Sequence, residues 1–158
     1  KWLICTNNPK ARVIERAKKL QIDYKIFTKD ELYNGSILNC INSLNPELII
    51  LAGFLLKFPI EIIDVYNKKI VNIHPALLPK YGGKGMYGMN VHKAIIKNKE
   101  AVSGITIHYV NKKYDEGPII FQKEIKINSS YTPNDLANKI HDLEMEYFPK
   151  IVENLLTL

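Results

Sequence analysis

Asn72 and His74 stand two positions apart at the end of an apolar run, Lys69-Ile70-Val71, and Pro75 follows at once. In extended backbone, residues two apart point to the same face. The amide and the imidazole therefore converge on one small volume, and Pro75 ends the strand beyond them. Together they offer an amide N–H and a proton donor to a single oxygen. That pair suits an oxyanion developing at an attacked carbonyl. Asp115, in Tyr114-Asp115-Glu116-Gly117-Pro118, has two readings. It is either a turn aspartate or a carboxylate that orients His74, raises its proton affinity and relays a proton.

Other polar residues carry weaker signals. Glu144 follows Leu136 by eight positions and Ile140 by four, so it borders the apolar face of a helix. It is either a surface side chain or an acceptor for a base or a ligand hydroxyl. His108 shares a strand face with polar groups near Asp115 and suits a supporting role behind the site. His92 is expected to be a satisfied polar residue. Gly82-Gly83-Lys84-Gly85 looks like a phosphate cradle but lacks the spacing of a nucleotide loop, so it is read as a mobile loop over the site. No His/Cys cluster has ligand spacing, so no metal is expected. Ser36 and Ser103 lack a nucleophile-elbow context.

The elements that must position these residues alternate between strand and helix, which predicts a parallel α/β sheet. Residues 2–5 predict a buried strand, 13–20 a helix, 24–27 a strand and 32–44 one helix. Residues 48–52 form a continuous apolar run, as in a strand buried on both faces. A helix over 60–66 and a strand over 69–73 follow. Both strands end in loops that carry candidate site residues, where open α/β sheets bind ligands. A Gly-rich loop spans 80–89 and a helix 92–97. Strands at 104–110 and 118–127 can pair through the loop 111–117. Thr132-Pro133-Asn134-Asp135 opens the last helix with an N-cap and Pro at its first position.

The bulk numbers fit this picture. A chain of 158 residues suits one domain, 1–158. Its 46% hydrophobic and 24% charged content is ordinary for a soluble globular protein. No apolar run suits a membrane helix, and no signal peptide is evident. Cys5 and Cys40 sit in apolar contexts and are read as reduced core or near-core thiols of a cytoplasmic protein. The net charge of +6 comes with scattered lysines, which fits a solvated surface or a field for small anions and not a nucleic-acid partner.

Four stretches together resemble the phosphoribosylglycinamide formyltransferase family, over nearly the whole chain. They are Leu51-Ala52-Gly53-Phe54, Asn72 through Tyr81, Gly104 through Val110, and Asp115 through Ile120. The resemblance implies a doubly wound, mostly parallel, Rossmann-like sheet with a C-terminal antiparallel strand and a long C-terminal helix. It implies formyl transfer from 10-formyltetrahydrofolate, as cosubstrate, to the amine of glycinamide ribonucleotide in purine biosynthesis. Asn72 and protonated His74 would hold the oxyanion, and Asp115 would help move the proton. Leu55, Leu56, Lys57 and Phe58 match the folate-lining segment, together with Asn72. Asn111, Lys112, Lys113, Tyr114 and Asp115 match the loop that closes over the pterin. Pro75 and Glu144 match ribonucleotide contacts. The partners implied are small molecules, with the protein a monomer or homodimer. Formyltetrahydrofolate deformylase shares Asn-x-His and Asp-x-Gly and is the rival activity; a non-catalytic folate-binding module is another.

The family opens with a strand, a Gly/Ser/Asn-rich loop and a helix whose N-terminus grips a phosphate. In this chain residues 2–6 match the family's second strand, so roughly 30 residues, about one βα unit, are expected to be missing. The chain is accordingly read as a domain incomplete at its N-terminus. The expected outcome is weak ribonucleotide binding by the purified 158-residue chain; tight, phosphate-dependent binding in a calorimetric titration would contradict it.

Overall fold

A computed structural model describes residues 1–157. The chain divides into two compact units, Lys1–Pro46 and Glu47–Leu158.

In the first unit, β1 (Leu3–Thr6) and β2 (Asp23–Ile26) pair in parallel, Leu3 opposite Asp23. A parallel pair needs a crossover, and α1 (Arg12–Lys19) supplies it, burying Ile14 and Ala17. Where the sequence predicts one helix over 32–44, there are two, α2 (Lys29–Tyr33) and α3 (Ser36–Leu44). They are separated at Gly35, whose φ of 90° is a conformation glycine adopts without steric cost. Thr28 and Glu31 form a reciprocal capping box that starts α2. The strand expected to be buried is not: Leu3 and Ile4 are half-buried, Cys5 is exposed, and so are Trp2, Tyr24 and Ile26. Two strands are too few to cover their own apolar faces. Cys5 and Cys40 are free thiols, as expected, but neither is a core residue: Cys40 is half-buried.

The second unit holds β3 (Ile49–Leu51), α4 (Ile60–Val65), β4 (Ile70–His74), α5 (Met89–Lys97), β5 (Val102–Tyr109), β6 (Ile119–Lys126) and α6 (Pro133–Leu156). Its sheet runs β3-β4-β5-β6. β3 and β4 are parallel, with α4 between them in sequence; β4/β5 and β5/β6 are antiparallel. The α/β class and the long C-terminal helix are as predicted. The reversed strand is β5, which runs against both of its neighbours, while β6 shares the direction of β3 and β4. β3 corrects its own prediction: only Leu51 is buried, because this strand has a neighbour on one side among the described strands.

Alternation on β4 and β5 separates two chemistries. Ile73, Ile105 and Ile107 enter a core with Val91 and Ile95 of α5 and Leu136 and Ile140 of α6. The residues between them face the other way: Asn72 lies opposite His108 and His74 opposite Thr106. α6 begins with a second capping box, in which the Thr132 backbone N–H donates to Asp135 Oδ2 at 2.8 Å and the Asp135 N–H to Thr132 Oγ1 at 3.2 Å. Pro133 follows in the first turn, where its missing N–H costs nothing.

Gly104 seats β5 tightly against its surroundings. A Cβ there would overlap the Lys123 backbone of β6 and the Leu77 side chain. Gly104→Ala is expected to lower the unfolding free energy by about 1–3 kcal/mol through overpacking. Urea denaturation checks this, and an unchanged midpoint would contradict it.

Candidate active site

The site is built on the polar face of β4 and β5 and on the loops that follow them. The turn after His74 is tied by one buried hydroxyl. Thr106 Oγ1 donates to the Ala76 carbonyl at 2.7 Å and accepts from the Leu78 N–H at 3.0 Å and from Gln122 Nε2 at 2.9 Å. Gln122 Nε2 also lies 3.0 Å from the Leu78 carbonyl. With its hydroxyl so engaged, Thr106 is fully buried at no polar cost.

Asp115 arrives from the loop between β5 and β6. Asn111 shapes that loop: its Oδ1 accepts from the Lys113 N–H at 2.9 Å, and its Nδ2 donates to the Glu116 carbonyl at 3.2 Å. Lys112 binds Asp64 of α4 at 2.7 Å. Gly117 packs so closely on the Tyr109 carbonyl that no Cβ fits. Asp115 itself adopts φ 54°, a left-handed conformation that Asp tolerates better than most residues.

These elements bring Asn72, His74, His108 and Asp115 together. Asn72 Nδ2 lies 3.2 Å from His108 Nε2, and His108 Nδ1 lies 2.9 Å from the Tyr109 carbonyl. A carbonyl only accepts, so neutral His108 carries its proton on Nδ1 and its Nε2 accepts one N–H of Asn72. The other N–H of that amide remains available. Asp115 Oδ1 lies 3.6 Å from His108 Nε2, and Oδ2 lies 3.7 Å from His74 Nδ1. His74 Nε2 is 2.7 Å from the Tyr81 carbonyl, so this nitrogen holds a proton and the titrating position is Nδ1, the one nearest Asp115. The Gly83 N–H donates to Asp115 Oδ2 at 2.8 Å. The loop read as mobile is thus hydrogen-bonded to the site through Tyr81 and Gly83.

The electrostatics correct one expectation. Burial pushes the His74 pKa below its usual 6.5, and the neighbouring Asp115 charge and Tyr81 carbonyl only partly offset it. Asp115 raises the proton affinity of His74 without winning. For Asp115, burial pushes the carboxyl up, but the rings of His108 and His74, when they carry the extra proton, and the Gly83 amide together bring it below the usual range. His92 also departs from prediction: burial lowers its pKa, and its Nδ1 finds no hydrogen-bond partner among the described residues. α5 carries it to a buried position.

A cleft opens beside Asn72, His108 and Asp115; buried His74 is not part of its lining. Leu51, Phe54, Phe58, Ile63 and Val110 give it apolar walls, and Asn72, His108 and Asp115 supply polar groups. Leu56, Lys57, Asn111, Lys112, Lys113 and Tyr114 line it as well. Leu55 does not; it is 58% exposed. Glu144 lies on α6, outside the cleft lining, and its partner is His141 at 3.5 Å. Burial pushes its carboxyl up, and His141 opposes that. Among the described residues no group of His, Cys, Asp or Glu is placed to hold a metal, and no helix is long and apolar enough to cross a membrane.

The family profile described as Formyl transferase matches residues 2–152. The chain belongs to the formyl transferase family. A chloroplastic phosphoribosylglycinamide formyltransferase from Arabidopsis thaliana is 35% identical over 156 residues, 95% of this chain and 53% of that protein. The Bacillus subtilis phosphoribosylglycinamide formyltransferase is 35% identical over 99% of this chain and 80% of its own length. The chain therefore spans about half the length of the plant relative. The crystal structure of phosphoribosylglycinamide formyltransferase from Bacillus halodurans superposes with a TM-score of 0.86 at 30% identity, covering 98% of this chain and 79% of that one. Within this formyl transferase chain, Tyr81, Thr106 and Gln122 are the site neighbours that sequence reasoning missed, and Gly83 was placed over the site without its bond to Asp115. Thr106 had a signal, its place on the polar face of β5; the backbone atoms of Tyr81 and Gly83 had none.

The His74 pKa gives two outcomes of defined sign. The folded state binds fewer protons than the unfolded chain below pH 6.5, so stability present above that pH is lost as the pH falls towards the folded pKa. Asp115→Asn removes the charge that favours the imidazolium, so the His74 titration should move to lower pH still. An NMR titration of the imidazole checks the second point, and a shift to higher pH would contradict it.

Proposed function

We propose that this chain carries the transfer centre of a phosphoribosylglycinamide formyltransferase, moving a formyl group from 10-formyltetrahydrofolate to the amine of glycinamide ribonucleotide. The observation that carries this reading is an apolar cleft lined by Asn72, His108 and Asp115, with His74 Nδ1 3.7 Å from Asp115 Oδ2. The aromatic and aliphatic walls suit a flat heteroaromatic ring, and the polar end suits its hydrogen-bonding edge. The folate supplies the activated formyl group when bound.

The residues then divide the work. As the amine attacks the formyl carbon, negative charge grows on the formyl oxygen. The free N–H of Asn72 and a proton on His74 Nδ1 are the donors for it. His108 fixes the Asn72 amide by accepting its other N–H. Burial lowers the proton affinity of His74 in the free protein, so the proton on Nδ1 is one taken up from solvent, favoured by the developing oxyanion and the Asp115 carboxylate and returned to solvent when the oxyanion collapses. Asp115 receives the proton released by the amine and passes it towards the leaving nitrogen through water. On this reading Leu56, Lys57, Phe58 and the 111–115 loop border the folate, and Pro75 and Glu144 serve the ribonucleotide, Glu144 by accepting from a ribose hydroxyl.

Asn72→Ala and His74→Ala should each reduce kcat by about 10²–10³-fold, the loss of about 2.7–4 kcal/mol typical of one oxyanion donor. Transfer to glycinamide ribonucleotide is followed alongside formate release. Formate produced without the amine would replace this reading with that of a deformylase, and near-normal turnover in both variants would refute the mechanism.

A further inference from the structure

We propose that Tyr81 is a positioning residue for the His74–Asp115 pair, acting through a backbone bracket that its phenol anchors on Asn98 and Glu100. Two residues two positions apart hold both members of the pair. The Tyr81 carbonyl accepts from His74 Nε2 at 2.7 Å, and the Gly83 N–H donates to Asp115 Oδ2 at 2.8 Å. The loop between them is seated flush on the site. A Cβ at Gly82 would meet the Asp115 Cβ at 3.2 Å and collide with Leu78.

The bracket does not hold itself. Tyr81 sits at φ 56°, in the left-handed region that a bulky aromatic residue disfavours. A backbone of this kind persists where its surroundings over-determine it. Here the surroundings are the far end of the side chain. The phenol O–H donates to Glu100 Oε1 at 2.8 Å, and Asn98 Nδ2 donates to the phenol oxygen at 2.9 Å. Lys80 Nζ lies 3.3 Å from the same Glu100 oxygen. Asn98 is the C-cap of α5, and Glu100 lies just before β5, its N–H bonded to the Ile95 carbonyl at 3.3 Å. Both anchors therefore stand on a turn fixed by core residues.

The bracket has two effects on the centre. It keeps the proton of neutral His74 on Nε2, so that Nδ1 presents its lone pair towards Asp115. It also holds Nδ1 and Oδ2 3.7 Å apart, longer than a direct hydrogen bond. The catalytic meaning of this spacing rests on the formyl-transfer reading; the bracket itself does not.

The test compares Tyr81→Phe, which keeps the ring and loses both phenol bonds, with Glu100→Gln, which keeps a carbonyl acceptor for the phenol. In the full chain, ¹⁵N chemical shifts of the His74 ring report its tautomer directly. The wild type and Glu100→Gln should show the Nε2–H form. Tyr81→Phe should move the two nitrogen shifts towards each other, as in a tautomer mixture. It should also lower kcat at least about tenfold with little change in KM, as expected for misplaced reacting groups. If Tyr81→Phe does not fold, Asn98→Ala removes one of the two phenol bonds and is judged by the same readouts. A wild-type tautomer pattern in these variants overturns the proposal, even if the melting temperature falls. Absence of formyl transfer in the wild type would count against the proposed function alone, since the tautomer pattern still decides the bracket.

Discussion

The hydrogen bond from His74 Nε2 to the Tyr81 carbonyl commits a buried imidazole to one tautomer, and the other polar contacts of the site are arranged around the nitrogen it leaves free. His74 is 4% exposed, so its ring could not tumble or recruit water to satisfy itself. One nitrogen must find a protein partner, or burial costs an unpaired polar group. Once Nε2 is spoken for, Nδ1 is the position that can gain or lose a proton, and it lies where Asp115 arrives. Asp115 in turn is held by a backbone amide from the same short loop and approached by His108. The group is closed by backbone atoms on one side and by side chains on the other.

Burial and charge compete over His74, and burial prevails in the free protein. That outcome suits a group asked to be a proton donor only when negative charge appears beside it. A permanently charged imidazolium would be stabilised before reaction as well as during it, and equal stabilisation of both states does not accelerate a step. His92 shows the same physics without the compensation. Its ring is buried, its Nδ1 has no hydrogen-bond partner among the described residues, and the neighbouring His74 further disfavours its charged form.

Much of the site was legible because strands obey a simple period. The two-residue spacing of Asn72 and His74, and of Thr106 and His108, put all four on one face, and their register puts them opposite one another. The Thr132 cap and Pro133 likewise announced the start of α6. What stayed hidden has a common cause. The Tyr81 and Gly83 contacts are made by backbone atoms, which every residue type carries, so no residue type signals them. The break at Gly35 lay inside an apolar pattern continuous enough to read as one helix. The exposure of β1 and β2 and the edge position of β3 depend on which strands lie beside them, and side-chain order along one strand does not report its neighbours.

The antiparallel register of β4 and β5 makes folding and catalysis a single decision. Sliding β4 by one residue against its partner would turn Asn72 and His74 into the apolar core and bring Ile73 out to the cleft. The core of Ile73, Ile105, Ile107, Leu136 and Ile140 forbids that slip on hydrophobic grounds alone. A chain that has packed its core has therefore already aligned the amide, the imidazole and the hydroxyl that holds their turn. Natural selection for a stable interior here also guards the reactive geometry, and a sequence that drifted in one would be corrected through the other.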